Sequence, residues 1–256
     1  MKIMTFNLRV HVASDGDNAW PYRIQEAAEA IKQANADVVG TQEGTNAMLQ
    51  DLHAQLPAYS WVGISRTGEL DGEYCAVFYR TDKLKPVESG HFGLSEQPEQ
   101  LGHMSWNTAC PRMCTWVKLR EANGQEWIVY NTHLDHVSAE ARTSGVRLIA
   151  DRMKQSAALG GIIPAVLTGD FNCEPDSDVV ACLNELGLVN AYASLEDPAD
   201  IGRTFHAFQG GEEGEPIDYI WVTPNASVAS VQVDRRTYNG RYPSDHYPVT
   251  AEISPR

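Results

Sequence analysis

Several places along the chain join carboxylates, carboxamides and histidines where a hydrophobic core would not choose them. Asn7 closes an alternating run and Glu43 follows an apolar one. His133 ends Asn131-Thr132-His133, and Asp170 and Asn172 lie in Gly169-Asp170-Phe171-Asn172. Asp218 interrupts Ile217-Asp218-Tyr219-Ile220-Trp221-Val222, and Asp245-His246 precede the last apolar run. Asn, Glu and Asp oxygens suit a hard cation such as Mg²⁺. The histidines and remaining acids supply proton transfer and orientation. Hydrolysis of a phosphoester needs both: charge stabilisation at the phosphoryl oxygens, an activated water, and help for the leaving group. Taken singly, most of these residues have a plainer reading. Asn7 fits a strand-end turn, Asp170 an Asx turn, His133 a hydrogen-bonded core histidine. Asp218 resists one, because a carboxylate in an apolar run is costly to bury unless paired or metal-bound. Its expected partner is a histidine or a cation.

The elements that must position these groups are mostly strands. Residues 2–10 alternate, with Met4, Phe6, Leu8 and Val10 on one face and Thr5, Asn7 and Arg9 on the other. Further strands are expected over residues 36–43, 75–80, 113–119, 126–134, 164–172, 217–222 and 249–253. Period-two spacing places Asn131 with His133, and Asp170 with Asn172, on shared faces. Helices are expected over 23–34, where Ile24, Ala27, Ala28 and Ile31 form one stripe, and over 46–56, 139–158 and 177–186. Asp176 or Ser177 would cap the last helix and Gly187 close it. Strands outnumber helices and many follow one another directly. The pattern predicts an α/β (α+β) architecture, with sheets packed on each other and helices outside.

A chain that is 43% hydrophobic and 21% charged is a soluble globular one. With no repeat and no evident linker, one domain over residues 1–256 is expected. No stretch is long and apolar enough to span a bilayer. The opening residues look like a strand rather than a signal peptide, which suggests the cytoplasm. The 5 cysteines fit no zinc spacing and read as reduced thiols. A net charge of −14 without a basic run disfavours general nucleic-acid binding, which depends on Lys and Arg neutralising phosphates.

In order, Asn7, Gln42-Glu43, Asn131-Thr132-His133-Leu134, Gly169-Asp170-Phe171-Asn172, Ile217-Asp218-Tyr219 and Ser244-Asp245-His246 resemble the motifs of the endonuclease/exonuclease/phosphatase superfamily. The resemblance runs from residue 7 to residue 249. It implies a four-layer sandwich of two packed mixed β-sheets flanked by helices, and a Mg²⁺- or Mn²⁺-dependent phosphoric-ester hydrolase. It also implies roles. Glu43 is the principal metal ligand, and Asn7 and Asp245 line the same metal site. Asp170 orients or deprotonates the attacking water, and Asn172 holds that water or the phosphate. His246 contacts the phosphate, with Asp218 fixing its tautomer and charge. His133 supports the transition state or the leaving group. Glu73 matches the acid that pairs with this histidine in pancreatic deoxyribonuclease, and Tyr74 is a weaker candidate for the tyrosine of abasic-site endonucleases. Whether His or Asp is the base stays open.

A narrower resemblance, to small stand-alone bacterial members, rests on Asp17-Asn18-Ala19-Trp20 with Arg23, Leu94-Ser95-Glu96, Arg112 before Cys114-Thr115-Trp116, His133-Leu134-Asp135-His136, and Arg241 to His246. The chain departs from the nucleases at Arg9, where abasic-site endonucleases carry an acid. Arg9, Arg23 and Arg112 would form a phosphate-binding group or else ordinary ion pairs. Trp20 and Trp106 would form a stacking wall or else core. Asp135 and His136 would hold a substrate hydroxyl. The leading expectation is hydrolysis of a small phosphodiester or phosphomonoester, of sugar-phosphate or head-group type. The alternatives are a nuclease for short or single-stranded nucleic acid and a non-catalytic binding module.

Overall fold

The computed structural model describes residues 1–159, 163–196 and 201–256. Two six-stranded sheets face each other. The first has the order β13-β14-β1-β2-β6-β4, from β1 (Lys2–Asn7), β2 (Val38–Gln42), β4 (Tyr59–Val62), β6 (Val77–Arg80), β13 (Ala226–Val233) and β14 (Val249–Pro255). The second has the order β11-β12-β10-β9-β8-β7, from β7 (Leu84–Gly93), β8 (Met113–Glu121), β9 (Glu126–His133), β10 (Ala165–Asp170), β11 (Val189–Asn190) and β12 (Asp218–Val222). A small ribbon pairs β3 (Gly44–Thr45) with β5 (Glu73–Tyr74).

Each sheet is built around a parallel pair. β1 and β2 are joined through α1 (Ile24–Ala34), and β9 and β10 through α3 (Ala139–Leu159). Strands added on either side are antiparallel. Two βαβ units thus stand face to face, and the carboxyl ends of their strands point to one end of the sandwich. Open α/β sheets characteristically place ligands there.

The alternation in β1 sorts its side chains as expected. Met4, Phe6 and Leu8 join a core with Ala27, Ala28 and Ile31 of α1 and Leu49 and Leu52 of α2 (Asn46–Gln55). Ile3 belongs to the larger core, with Val117, Val129, Leu167 and Ile220 of the second sheet. Val146, Ile149, Ala150 and Met153 of α3, with Val179 and Leu183 of α4 (Asp178–Glu185), complete that core. The layers are therefore helices, sheet, sheet, helices.

Beneath the carboxyl ends the sheets are tied by amides rather than alkyl groups. Asn131 donates from Nδ2 to the carbonyls of Thr41 (2.8 Å) and Ala76 (3.0 Å) across the interface. Its Oδ1 accepts from Gln42 Nε2 (2.7 Å) and Thr168 Oγ1 (3.0 Å). A buried network of this kind fixes register, because a slip would strand the four bonds of Asn131; Gln42 Oε1 is the one amide atom in it left without a partner. Gly40 makes room for it: a Cβ there would stand 2.2 Å from Thr168 Oγ1.

Most elements lie where the pattern puts them, with ends displaced by one to three residues; β8, β14 and α3 run longer than expected and most of the others shorter. The first strand stops at Asn7 rather than residue 10, because Arg9 turns the chain with a φ of 54°. Thr45 caps α2 and Ser177 caps α4, each accepting from a backbone N–H. β3, β4, β5, β7, β11 and β13 were not foreseen. β7 contains Pro86 and Gly90, which argue against a strand. It is an edge strand, and its register shifts just after Pro86; edges and bulges are the places where a sheet tolerates proline. Among the described residues no helix is long and apolar enough to cross a membrane.

Candidate active site

The two parallel pairs deliver their last residues side by side. Asn7 is in register with Gln42, and Asp170 is in register with both His133 and Asp218. Asn7 Nδ2 bridges the two sheets, donating to Glu43 Oε1 (3.1 Å) and Asp170 Oδ2 (2.9 Å). Its Oδ1 is taken by the Arg9 N–H (2.9 Å), so in this arrangement Asn7 turns its amide N–H toward the carboxylates. Glu43 stands at a φ of 62°, strain an ordinary residue keeps only where its surroundings over-determine it. Its Oε2 accepts from the Val10 N–H at 2.8 Å.

The buried half of the site is a relay. His246 Nδ1 lies 2.8 Å from Asp218 Oδ2, and His246 Nε2 lies 3.7 Å from Asp170 Oδ2. Burial opposes charge on the imidazole, but Asp218 and Asp170 outweigh it and raise His246 to about 10. Burial, and then the Asp218 charge, push Asp170 the other way for an acid, well above the usual carboxylate range. Asp218 Oδ1 is buried with no hydrogen-bond partner. His133 behaves oppositely to His246. Burial, then Arg112, hold it well below the ordinary histidine value. Its Nε2 lies 3.0 Å from Asn172 Nδ2, which also donates to the Leu134 carbonyl at 3.0 Å. An amide nitrogen only donates, so Nε2 accepts and the His133 ring is neutral.

These groups open into one cleft of about 710 Å³. Glu43, Asp170, Asp245, His133, Asn172 and His246 line one side. Burial raises Asp245 above its usual range, and its Oδ2 lies 3.7 Å from Arg9 Nε. Arg9 forks onto Asp15 at 3.0 and 3.1 Å. Arg66, Glu73, Arg112 and His136 continue the lining beyond His133, toward β8, and Phe205 and Phe208 also line the cleft. Thr204 Oγ1 accepts from the Ile217 and Asp218 N–H groups, Phe205 bridges His246, and the His206 N–H reaches the Asp245 carbonyl. His206 itself is stacked on Tyr247 at 3.9 Å and kept neutral, burial lowering it to about 4. The loop over residues 204–206 is thus fastened directly to Asp218, Asp245 and His246.

The remaining sequence candidates are placed as follows. Glu73 does not reach His133: both its oxygens are held by Arg66 at 2.9 Å. Asp135 lies under the cleft wall and is not free to hold a substrate hydroxyl. Its carboxylate is bonded by Ser138, Val137, Ala109, Thr108 and Arg112. Burial would raise it, yet those donors carry it down to about 2. Arg23 is fully buried, its guanidinium donating to the carbonyls of Leu8, Arg9, Asn18 and Pro243. It holds the chain after β1 and joins no phosphate-binding group. Trp20 is core, with Nε1 on Asp51 and its ring against Arg23. Tyr74 is buried against Trp61, its hydroxyl on the Leu70 carbonyl, and does not line the main cleft. Trp106 also stands outside that lining. Sequence reasoning missed Arg66, Phe205 and Phe208. A signal existed for Arg66: Gly68 and Gly72 mark a tight turn, which sets Ser65 opposite Tyr74 and brings Arg66 to Glu73.

The donor chemistry fits a divalent cation. Glu43, His133 and Asp170 each offer a ligand atom, all within 4.8 Å of one another, and Asp245 adds a carboxylate to the same side of the cleft. The carboxylates supply hard oxygen donors and His133 a nitrogen donor, a set that suits a divalent cation.

The sequence matches the profile of the Endonuclease/Exonuclease/phosphatase family over residues 4–246, and the chain belongs to that family, whose members are hydrolases. The Bacteroides thetaiotaomicron VPI-5482 mannosyl-6-phosphatase superposes with a TM-score of 0.93 at 32% identity, covering 99% of each chain. An endonuclease/exonuclease/phosphatase from Bacteroides vulgatus gives 0.91 at 35% identity, over 100% of this chain and 98% of that one. Nocturnin of Drosophila melanogaster is 26% identical over 91% of this chain, which spans only 42% of that relative's length.

Proposed function

We propose that residues 1–256 form one catalytic domain that hydrolyses a small phosphorylated substrate with a divalent cation, Mg²⁺ or Mn²⁺. The observation that carries this reading is the buried Asp218–His246–Asp170 relay, joined to Glu43 through the Asn7 amide. Glu43 and Asp245 would hold the cation, with Asn7 lining the same site, and the cation would neutralise charge on the phosphoryl oxygens. Asp170, raised by burial, is basic enough to take the proton of the attacking water. His246, kept cationic by Asp218, holds the phosphoryl group and loses less through desolvation than a lone imidazolium would. Asn172 fixes the water or the phosphate, and neutral His133 faces the leaving group. The mannosyl-6-phosphatase, similar along its whole length, supports a small phosphorylated substrate. The reduced cysteines suit the cytoplasm.

The direct test compares p-nitrophenyl phosphate, bis-p-nitrophenyl phosphate and oligonucleotides, with Mg²⁺ or Mn²⁺ added. Turnover of the small esters that stops with EDTA is the expected result. Cleavage of oligonucleotides with none of the small esters would overturn the reading in favour of a nuclease.

A further inference from the structure

The wall beyond His133 is electrically balanced. Arg66 is forked to Glu73 at 2.9 Å through both nitrogens. Arg112 is 94% buried (6% exposed), with Nε 3.4 Å from Asp135 Oδ2 and Nη2 2.9 Å from His136 Nδ1. A guanidinium only donates, so Nδ1 of His136 accepts and the ring carries its proton on Nε2. Arg112 Nη1 has no protein partner among the described residues, and Arg112 lines the cleft. The wall therefore interleaves donors, at Arg112 and His136, with an acceptor, at the carboxylate of Glu73. Phe205 also lines the cleft, 45% exposed, its ring 5.0 Å from that of His246.

An anion would choose differently. A second phosphate on the substrate would meet Glu73 beside each guanidinium and gain little. A hydroxyl, which donates and accepts at once, is matched by alternating partners. The apolar C–H face of a saturated ring would cover Phe205, removing exposed aromatic surface from water.

We propose that this wall, Arg66–Glu73 with Arg112–His136 and Phe205, is a hydroxyl-reading subsite, and that the substrate is the monophosphate of a hexose ring. The proposal rests on the phosphoesterase reading above and names its substrate class. Arg112 is buried and its Nη1 has no other partner among the described residues, so a missing hydroxyl leaves that donor unpaired, and discrimination follows from the penalty.

The test measures kcat/KM with Mg²⁺ for mannose and glucose 6-phosphates, 2-deoxyglucose 6-phosphate, a hexose bisphosphate and p-nitrophenyl phosphate. The hexose monophosphates should exceed p-nitrophenyl phosphate by at least about tenfold, and a ring-hydroxyl deletion should cost about as much. The bisphosphate should gain nothing over the monophosphate. In Arg112→Ala and Glu73→Gln the ratio of hexose phosphate to p-nitrophenyl phosphate should fall about tenfold, mostly through KM. Phe205→Ala changes an exposed side chain, so it keeps the test available should the other variants fold poorly; its ratio should fall about threefold. A wild-type ratio near one, a preference for the bisphosphate, or variants that slow both esters equally would overturn the subsite. Turnover of no ester at all, p-nitrophenyl phosphate included, would instead overturn the phosphoesterase reading beneath it.

Discussion

The two sides of the cleft are built by different means. On the relay side, Asn7, His133, Asp170 and Asp218 stand at the ends of central strands, and pairing register fixes their neighbours: Asn7 beside Gln42, Asp170 beside His133 and Asp218. On the other, Arg66, Arg112 and His136 stand outside the strands and are held by ion pairs and side-chain hydrogen bonds. The first side sets charge: Asp218 and Asp170 raise His246 against burial, while burial and Arg112 lower His133. The second side is charge-neutral and sets shape and hydrogen bonding. Chemistry common to a family belongs on a rigid frame, whereas the choice of substrate can be rewritten in loops without disturbing that frame.

Substitutions on the two sides should therefore fail in different ways. The largest effects belong to the relay side. Glu43→Ala, Asp170→Ala and His246→Ala should each lower kcat by at least about a hundredfold for every ester tested. The double variant Asp170→Ala/His246→Ala should lose far less than the product of the single losses, because the two act as one unit. Steady-state kinetics on two dissimilar esters check both statements; fully multiplicative losses would show that they act separately.

Asp218→Asn should lower kcat near pH 7 by roughly ten- to a hundredfold and move the pH profile. Asp218 is the leading charge that raises His246, so its removal lowers that pKa. The cationic imidazole is then lost at lower pH, and the alkaline fall in kcat should shift toward neutrality. An unmoved alkaline limb would mean that His246 does not act as a cation.

Cation removal separates the two sides without mutation. EDTA should abolish turnover, and added Mg²⁺ or Mn²⁺ should restore it. Saturating Mg²⁺ should also raise the melting temperature of the wild type but not of Glu43→Gln, since a ligand bound only to the folded state stabilises it. Equal shifts in both would place the cation elsewhere.

The smallest kinetic effect is expected at Arg23, which touches neither side. Arg23→Met strands carbonyls of Leu8, Arg9 and Pro243 and should cost about 3 kcal/mol of stability. Calorimetry should show a melting temperature lower by roughly 6–12 °C, with the ratio between esters unchanged.

The same contrast explains what was legible in the sequence. Asn7, Glu43, His133, Asp170 and Asp218 each stand where an apolar or alternating run gives way to a polar group, so composition and spacing alone marked them. Strand ends converge by topology, and the same runs predict packed sheets with helices outside, whereas the four-layer arrangement came with the family resemblance. Arg66 and Phe205 left no such mark. Their positions depend on a hairpin turn and on a loop pinned by His206 between Tyr242 and Tyr247. Arg23 and Asp135 were misjudged for one reason: a charged side chain in a motif reads as a reagent, yet here each is saturated by backbone groups. Edge strands β7 and β13 went unseen because edges tolerate the prolines, glycines and serines that central strands exclude.

The first strand of the fold pairs with the last, β1 with β14, and the Met1 amino group donates to the Ile253 carbonyl. While the chain is being synthesised, one edge of β1 must wait unpaired until β14 has left the ribosome, exposing a row of N–H and C=O groups to other strands. His246 and Asp245 arrive only just before that strand. A nascent or prematurely terminated polypeptide lacks the closing strand and the histidine that pairs with Asp218 together, so the cleft stays incomplete in half-made chains.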